Sequence, residues 1–306
     1  MPRYTLRQLE YFAAVAEAES ISSAAAALHV TPTAVASALT ELERVLRSQL
    51  VVRRKAHGIT LTPTGQHLRT RIAALLREAD ELERAAAGGA GELAGPLVLG
   101  CYSTVAPTIV PILMKWVRDH HPRVDLSVVT GNQAELPRRL LAGELDLAIG
   151  YDIALPDGLD SVRLYSAPPY ALLPAGHRLA RRETVSVAEL AVEPMIMLDL
   201  PPAAQHTRML FERAGTEPRV EQRTTDFELT RSLVARGFGY SVLIQRPTVN
   251  RSYEDLPLAL REITPAVPVA NVLMMWSREV RLNDRAEALA AFATRNAELL
   301  DPRRRG

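Results

Sequence analysis

The chain has 306 residues, 47% of them hydrophobic and 23% charged, with a net charge of +1. That length and balance predict two or three globular domains and exclude a disordered or fibrous protein. Its longest apolar runs, such as "AVASAL" and "LAIG", are too short to span a bilayer. "MPRYTLRQLEYF" lacks the pattern of a secretory leader, and the single cysteine, Cys101, excludes a disulfide framework or a Cys-rich zinc site; a cytoplasmic protein is expected.

Leu6, Leu9, Phe12, Ala13 and Ala16 recur at helical spacing and give the first helix one apolar stripe. "SISS" (20–23) offers Ser22 or Ser23 as N-cap of a second helix, "AAAALHV", whose alanines permit close approach of a neighbour. Thr31 caps a third helix with Pro32 in its first turn, where a missing N–H does no harm. Val35, Leu39, Leu42 and Leu46 form its buried face, so the pair reads as a helix-turn-helix. "VVRRKAHGITL" then reads as a small hairpin, or wing, around a basic tip. Residues 1–65 hold seven Arg and Lys against five Glu, three of the seven at 53–55, a cluster suited to phosphate contact or to plain solvation.

Thr62 and Pro63 start the most regular feature of the chain. Leu68, Ile72, Leu75, Ala79, Leu82 and Ala86 alternate spacings of four and three, a heptad seam on a helix about 36 Å long at 1.5 Å per residue. Such a seam asks for a partner helix, so dimerisation through Leu68, Ile72, Leu75, Ala79 and Leu82 is expected. "GGAGELAG" (88–95) ends the helix as a linker. It matches G-x-G-x-x-A, but a helix precedes it where a dinucleotide fingerprint needs a strand, so that match is rejected. From Pro96 onward short apolar strands alternate with helices, which predicts parallel sheets in two similar α/β lobes. The last strand, "VANVLMMWS", and the closing helix are free to return to the first lobe, and two facing lobes make a cleft.

This order resembles the LysR-type transcriptional regulators over nearly the whole chain. The match is carried by "LRQLEYFAAVAEAESISSAAAALHVTPTAVASALTELERVL", "GITLTPTG", "DLAIGYD" (146–152) and "LTRSLVARGFGYSVL" (229–243). The resemblance implies an N-terminal all-α winged helix-turn-helix at 1–61 and a dimerising linker helix at 62–88 with a hinge at 89–95. It further implies a C-terminal α/β two-lobed effector domain like the periplasmic binding proteins, lobe I at 96–163 and 267–301 and lobe II at 164–266. Homotetramers, double-stranded operator DNA and a small-molecule effector are the implied partners; no cofactor or metal is expected.

The third helix departs from the family pattern: Pro32, Ala36 and Ser37 replace a frequent glutamine, serine and arginine, and Arg47 stands where glycine is common. With the usual bidentate readers missing, base reading falls to Thr31, Thr33, Ser37 and Thr40, with Ala34 and Ala36 against thymine methyls. Ser22, Ser23, Thr33, Arg53 and Arg54 are assigned to phosphates, and Arg53 and Lys55 to much of the affinity. For the effector, "GCYSTVAP" puts Ser103 and Thr104 between a strand end and a helix start, where hydroxyls and free N–H groups suit a small organic anion or aromatic acid. Thr130, Gly131, Asn132, Pro201, Pro202, Thr225 and Phe227 occupy corresponding loops. Cys101 reads as a buried apolar residue, "DHHP" (119–122) as a helix end, and the "RRRG" tail as solvated. An α/β enzyme is the rival class, but no nucleophile elbow, P-loop or zincin motif is present. A ligand sensor with little DNA specificity is the second rival.

Overall fold

The computed structural model describes residues 3–18, 20–54, 58–86, 92–265 and 267–304. Helices α1 (Leu6–Ala18), α2 (Ile21–Ala27) and α3 (Pro32–Leu46) pack around Leu9, Phe12, Val15, Ala24, Ala25, Val35, Leu39 and Leu42. The N-cap of α2 is Ser20, whose Oγ accepts from the Ser23 N–H at 3.0 Å; Ser22 and Ser23, the expected caps, already lie within the helix. Thr31 caps α3 through the Ala34 N–H, with Pro32 in the first turn. Strands β1 (Val51–Arg54) and β2 (Gly58–Leu61) form the antiparallel wing, and Val51 and Ile59 join the same core.

Helix α4 (Pro63–Ala86) is capped by Thr62, whose Oγ1 accepts from Gly65 N–H and donates to the Gln49 carbonyl. The heptad seam is not left whole for a partner. Ile72 is buried in the N-terminal core with Leu68 and Leu76 against it, while Leu75 is 41% and Leu82 73% exposed. The first turns of the seam therefore serve their own domain, because a stripe of spacing four and three fits a domain core as well as a coiled coil.

Lobe I is built from β3 (Ala94–Tyr102), α5 (Ala106–His120), β4 (Arg123–Gly131), α6 (Glu135–Leu141), β5 (Leu147–Tyr151) and β6 (Leu159–Ala167). Lobe II holds β7 (Tyr170–Pro174), β8 (Thr184–Ser186), α7 (Val187–Ala191), β9 (Pro194–Leu198) and α8 (Ala203–Arg213). It continues through β10 (Arg219–Thr224), α9 (Phe227–Ala235), β11 (Ser241–Leu243) and β12 (Leu258–Thr264). The chain then returns to lobe I as β13 (Ala270–Ser277), α10 (Asp284–Arg295) and α11 (Ala297–Leu300).

The lobe I sheet has the order β4-β3-β5-β13-β6, parallel over its first three strands, with β13 antiparallel to both neighbours. The fully parallel sheet expected from the alternation is corrected here: β13 arrives from lobe II and so runs back from the carboxyl ends of β3 and β5. Lobe II is mixed as well, a β11-β7-β12-β8 sheet beside a parallel β9–β10 pair. β6 stays in the first sheet to Ala167, so the crossover follows that residue and not 163, and Ala94 and Gly95 belong to β3 and not to a hinge. Asp152 and Asn271 bind each other at the crossover, the Asn271 N–H donating to Asp152 Oδ1 at 2.8 Å.

Candidate DNA-reading surface and effector cleft

Burying Val35, Leu39 and Leu42 turns the opposite side of α3 outward. Thr31, Thr33, Ala34, Ser37 and Thr40 are all exposed there, as are Ser22 and Ser23 on α2. Ala36 is half-buried. Two of these hydroxyls already have internal partners: Thr31 Oγ1 accepts from Ala34 N–H, and Thr40 Oγ1 donates to the Ala36 carbonyl at 2.9 Å. Thr40 thus presents its methyl more readily than its O–H. In the wing, Arg53 pairs with Ile59 and Arg54 with Gly58 through backbone, while their side chains and Lys55 lie outside the described residues.

The expected effector segments converge. The Ser103 N–H donates to the Gly131 carbonyl at 3.1 Å, the Tyr102 hydroxyl to the Pro201 carbonyl at 3.1 Å, and the Asp199 N–H to the Thr224 carbonyl at 2.7 Å. These bonds tie the ends of β3, β4, β9 and β10 into one region between the lobes. Ser103, Thr130, Asn132, Pro201 and Thr225 are exposed, Gly131 and Phe227 half-buried, and Thr104 and Pro202 buried. Asn132 also has a structural role, its Oδ1 accepting from the N–H groups of Ala134 and Glu135.

Four side chains that the sequence reading did not single out complete the region. Tyr102 and Tyr151 sit edge to face, ring centroids 5.5 Å apart, with Thr104 beside both. Burial pushes both phenols well above their ordinary range, so they remain O–H donors at neutral pH. Gln133 lies over Gly150, accepting from the Tyr151 N–H at 3.0 Å and donating to its carbonyl at 2.6 Å, which fixes the end of β5. His206 on α8 is buried beside Asp152 and the Pro268 carbonyl; burial holds its imidazole below the ordinary value against smaller opposing pulls from those two groups. The Tyr151 hydroxyl and His206 Nδ1 are buried without a hydrogen-bond partner. The signal for Tyr151 was its place as the last strand residue of "DLAIGY"; His206 sits in a polar helix and gave none.

Cys101 is fully buried, and burial raises its thiol far above the ordinary value. His120 and His121 pack against Trp116 at the end of α5, and among the described residues no cluster of His, Cys, Asp and Glu is placed to hold a metal. Arg303 and Arg304 pair with Asp301 and Glu298. Among the described residues no helix is long and apolar enough to cross a membrane.

A winged helix-turn-helix joined through a long helix to a two-lobed α/β domain defines the architecture of an effector-controlled DNA-binding regulator. Comparison with known proteins makes this specific. Residues 6–66 match the model described as bacterial regulatory helix-turn-helix protein, lysR family, and residues 90–298 match the LysR substrate binding domain. The chain belongs to the LysR family of transcriptional regulators. A probable hydrogen peroxide-inducible genes activator of Mycobacterium avium is 34% identical over 198 residues, 64% of this chain and 62% of that relative, less than two thirds of its length. The crystal structure of HinK, a LysR family regulator from Pseudomonas aeruginosa, shares 31% identity over 96% of this chain and 99% of its own, with a TM-score of 0.63. The C-terminal domain of a probable family member from Rhodococcus sp. RHA1 shares 37% identity over 66% of this chain and all of its own, with a TM-score of 0.64.

Proposed function

We propose that this regulator binds a small organic anion or aromatic acid between its lobes and changes its grip on operator DNA in response. One observation carries the effector reading: the Tyr151 hydroxyl, buried beside Thr104 and the Tyr102 ring at the strand ends of lobe I, lacks a hydrogen-bond partner, and so does His206 Nδ1 of lobe II beside Asp152. Buried groups of this kind are costly unless something satisfies them. Tyr151, Ser103 and Thr104 supply hydroxyl donors, which suits an acceptor-rich carboxylate, and the tyrosine pair with Phe227 suits an aromatic body. At the DNA, Thr31, Thr33, Ala34 and Ser37 of α3 face the bases, Thr40 offers its methyl, and Ser22, Ser23, Arg53, Arg54 and Lys55 meet phosphates. Pairing runs through the exposed part of α4 around Leu75, Ala79 and Leu82, with tetramers built on that dimer. The protein acts in the cytoplasm and does no chemistry on its ligand.

The names of relatives suggest peroxide sensing as a second reading. It fits poorly, because Cys101 is the one cysteine and burial suppresses the thiolate that peroxide attacks. Calorimetry of the full chain with aliphatic carboxylates and aromatic acids tests the first reading. We expect one class to bind and Tyr151→Phe to weaken it by about 1.5–3 kcal/mol, the range for a hydrogen bond to a charged group. Failure across the whole panel would count against an anionic effector.

A further inference from the structure

Among the described residues, helix α4 meets lobe I of its own chain through Arg69 and Thr70. Thr70, buried, donates its hydroxyl to the Leu141 carbonyl at the end of α6, and Arg69 pairs with Glu144 just beyond it. Gly143 lies between them at a φ of +71°, and a Cβ there would come within 3.4 Å of the Thr70 carbonyl and the Ala73 methyl. Arg139 of α6 donates to the other Glu144 oxygen at 3.0 Å, so the carboxylate is held from both sides.

Empty space flanks this contact. On one side a groove of about 720 Å³ separates Val15 and the wing residues Ile59 and Leu61 from Glu135 and Arg138 of α6. On the other, a cavity of about 350 Å³ lies among Ala74, Leu140, Leu145, Asp146 and Leu282. A polar clamp between two voids can turn without unpacking a core, because few apolar contacts are lost. The opposite end of α6 begins at Asn132 and Gln133, which bind its first N–H groups and the backbone of Tyr151.

We propose that the clamp of Thr70 and Arg69 on Leu141 and Glu144 is the pivot that sets the attitude of the DNA-binding domain on lobe I, with α6 as the strut joining it to the cleft. Thr70 and Glu144 are then positioning residues: they touch neither DNA bases nor ligand, yet carry the state of residues 131–133 to α4. The direction of this signal rests on the cleft being the effector site; the mechanical link does not.

Hydrogen–deuterium exchange on the full-length protein, with no ligand added, tests the link apart from the effector reading. Asn132→Ala loosens the cleft end of α6 and should speed exchange about fivefold both at amides 134–136 and at amides 69–74 on α4, a size typical of coupled sites. In a Thr70→Val, Glu144→Gln background the local increase should persist while the increment on α4 disappears. Asn132→Asp, which keeps the acceptor, should leave α4 as in the wild type. Should Asn132→Ala unfold the lobe, the reverse experiment decides, reading amides 132–136 in Thr70→Val, where faster exchange is expected. An effect of Asn132→Ala that stops within α6, an α4 increment that survives loss of the clamp, or an unchanged loop in Thr70→Val would each overturn the proposal. Calorimetric failure of every carboxylate would leave these exchange results intact and sink only the effector reading.

Discussion

Arg47 ends α3 in the left-handed region, at φ 52° and ψ 35°. A side chain there costs about 1–2 kcal/mol that glycine would not incur, which accounts physically for the glycine common at this position among proteins this chain resembles. Arg47→Gly should therefore raise stability, by roughly 0.5–1 kcal/mol after the added freedom of the unfolded chain is subtracted, as read by urea denaturation. Thr31→Ala removes the cap of the same helix and should cost about 1 kcal/mol, measurable in the same titration. At Gly239 a Cβ would sit 2.3 Å from the Pro194 carbonyl, so the backbone there approaches β9 too closely for a side chain. For the wing, Arg53→Ala should weaken operator binding across sequences and reduce the salt slope by about one, the signature of a lost phosphate contact.

At the scale of elements, α4 divides its surface between two neighbours and an open side. Leu68, Ile72 and Leu76 face the N-terminal core, Arg69 and Thr70 face lobe I, and Leu75 and Leu82 stay open. Ile72→Ala should destabilise the chain by roughly 2–5 kcal/mol, a buried-cavity effect seen in chemical denaturation. Leu75→Glu with Leu82→Glu should instead shift sedimentation toward monomer with the denaturation midpoint of the N-terminal domain little changed. The helix itself was legible because spacing of four and three fixes a stripe. What covers the stripe was not, since a domain core and a partner helix ask for the same pattern. The same limit explains the sheets: apolar runs mark β6 and β13 as strands, but the direction of β13 follows from where the chain crosses between lobes, which local pattern does not encode.

Across the whole molecule, the hydroxyl-bearing loops at the ends of β3 and β4 could be read from strand-then-helix order. Tyr102 and His206 could not, because their meaning depends on two lobes meeting. His206 gives the fold a pH signature. Its folded pKa is depressed, so the native state binds fewer protons than the unfolded chain as pH falls below the ordinary histidine value of about 6.5. Stability should be level above that pH and decline as pH falls toward the folded pKa, and His206→Gln should flatten the decline in urea midpoints collected between about pH 7.5 and 5.5. Control of DNA binding by a ligand held between the lobes is tested by an anisotropy titration of the DNA upstream of the protein's own gene, at fixed salt, with and without each carboxylate and aromatic acid of the panel. We expect one class to shift the apparent affinity about fivefold or more, and Thr104→Val to abolish the shift while DNA binding persists. A shift of equal size in Thr104→Val, or none from any compound that binds, would contradict the account.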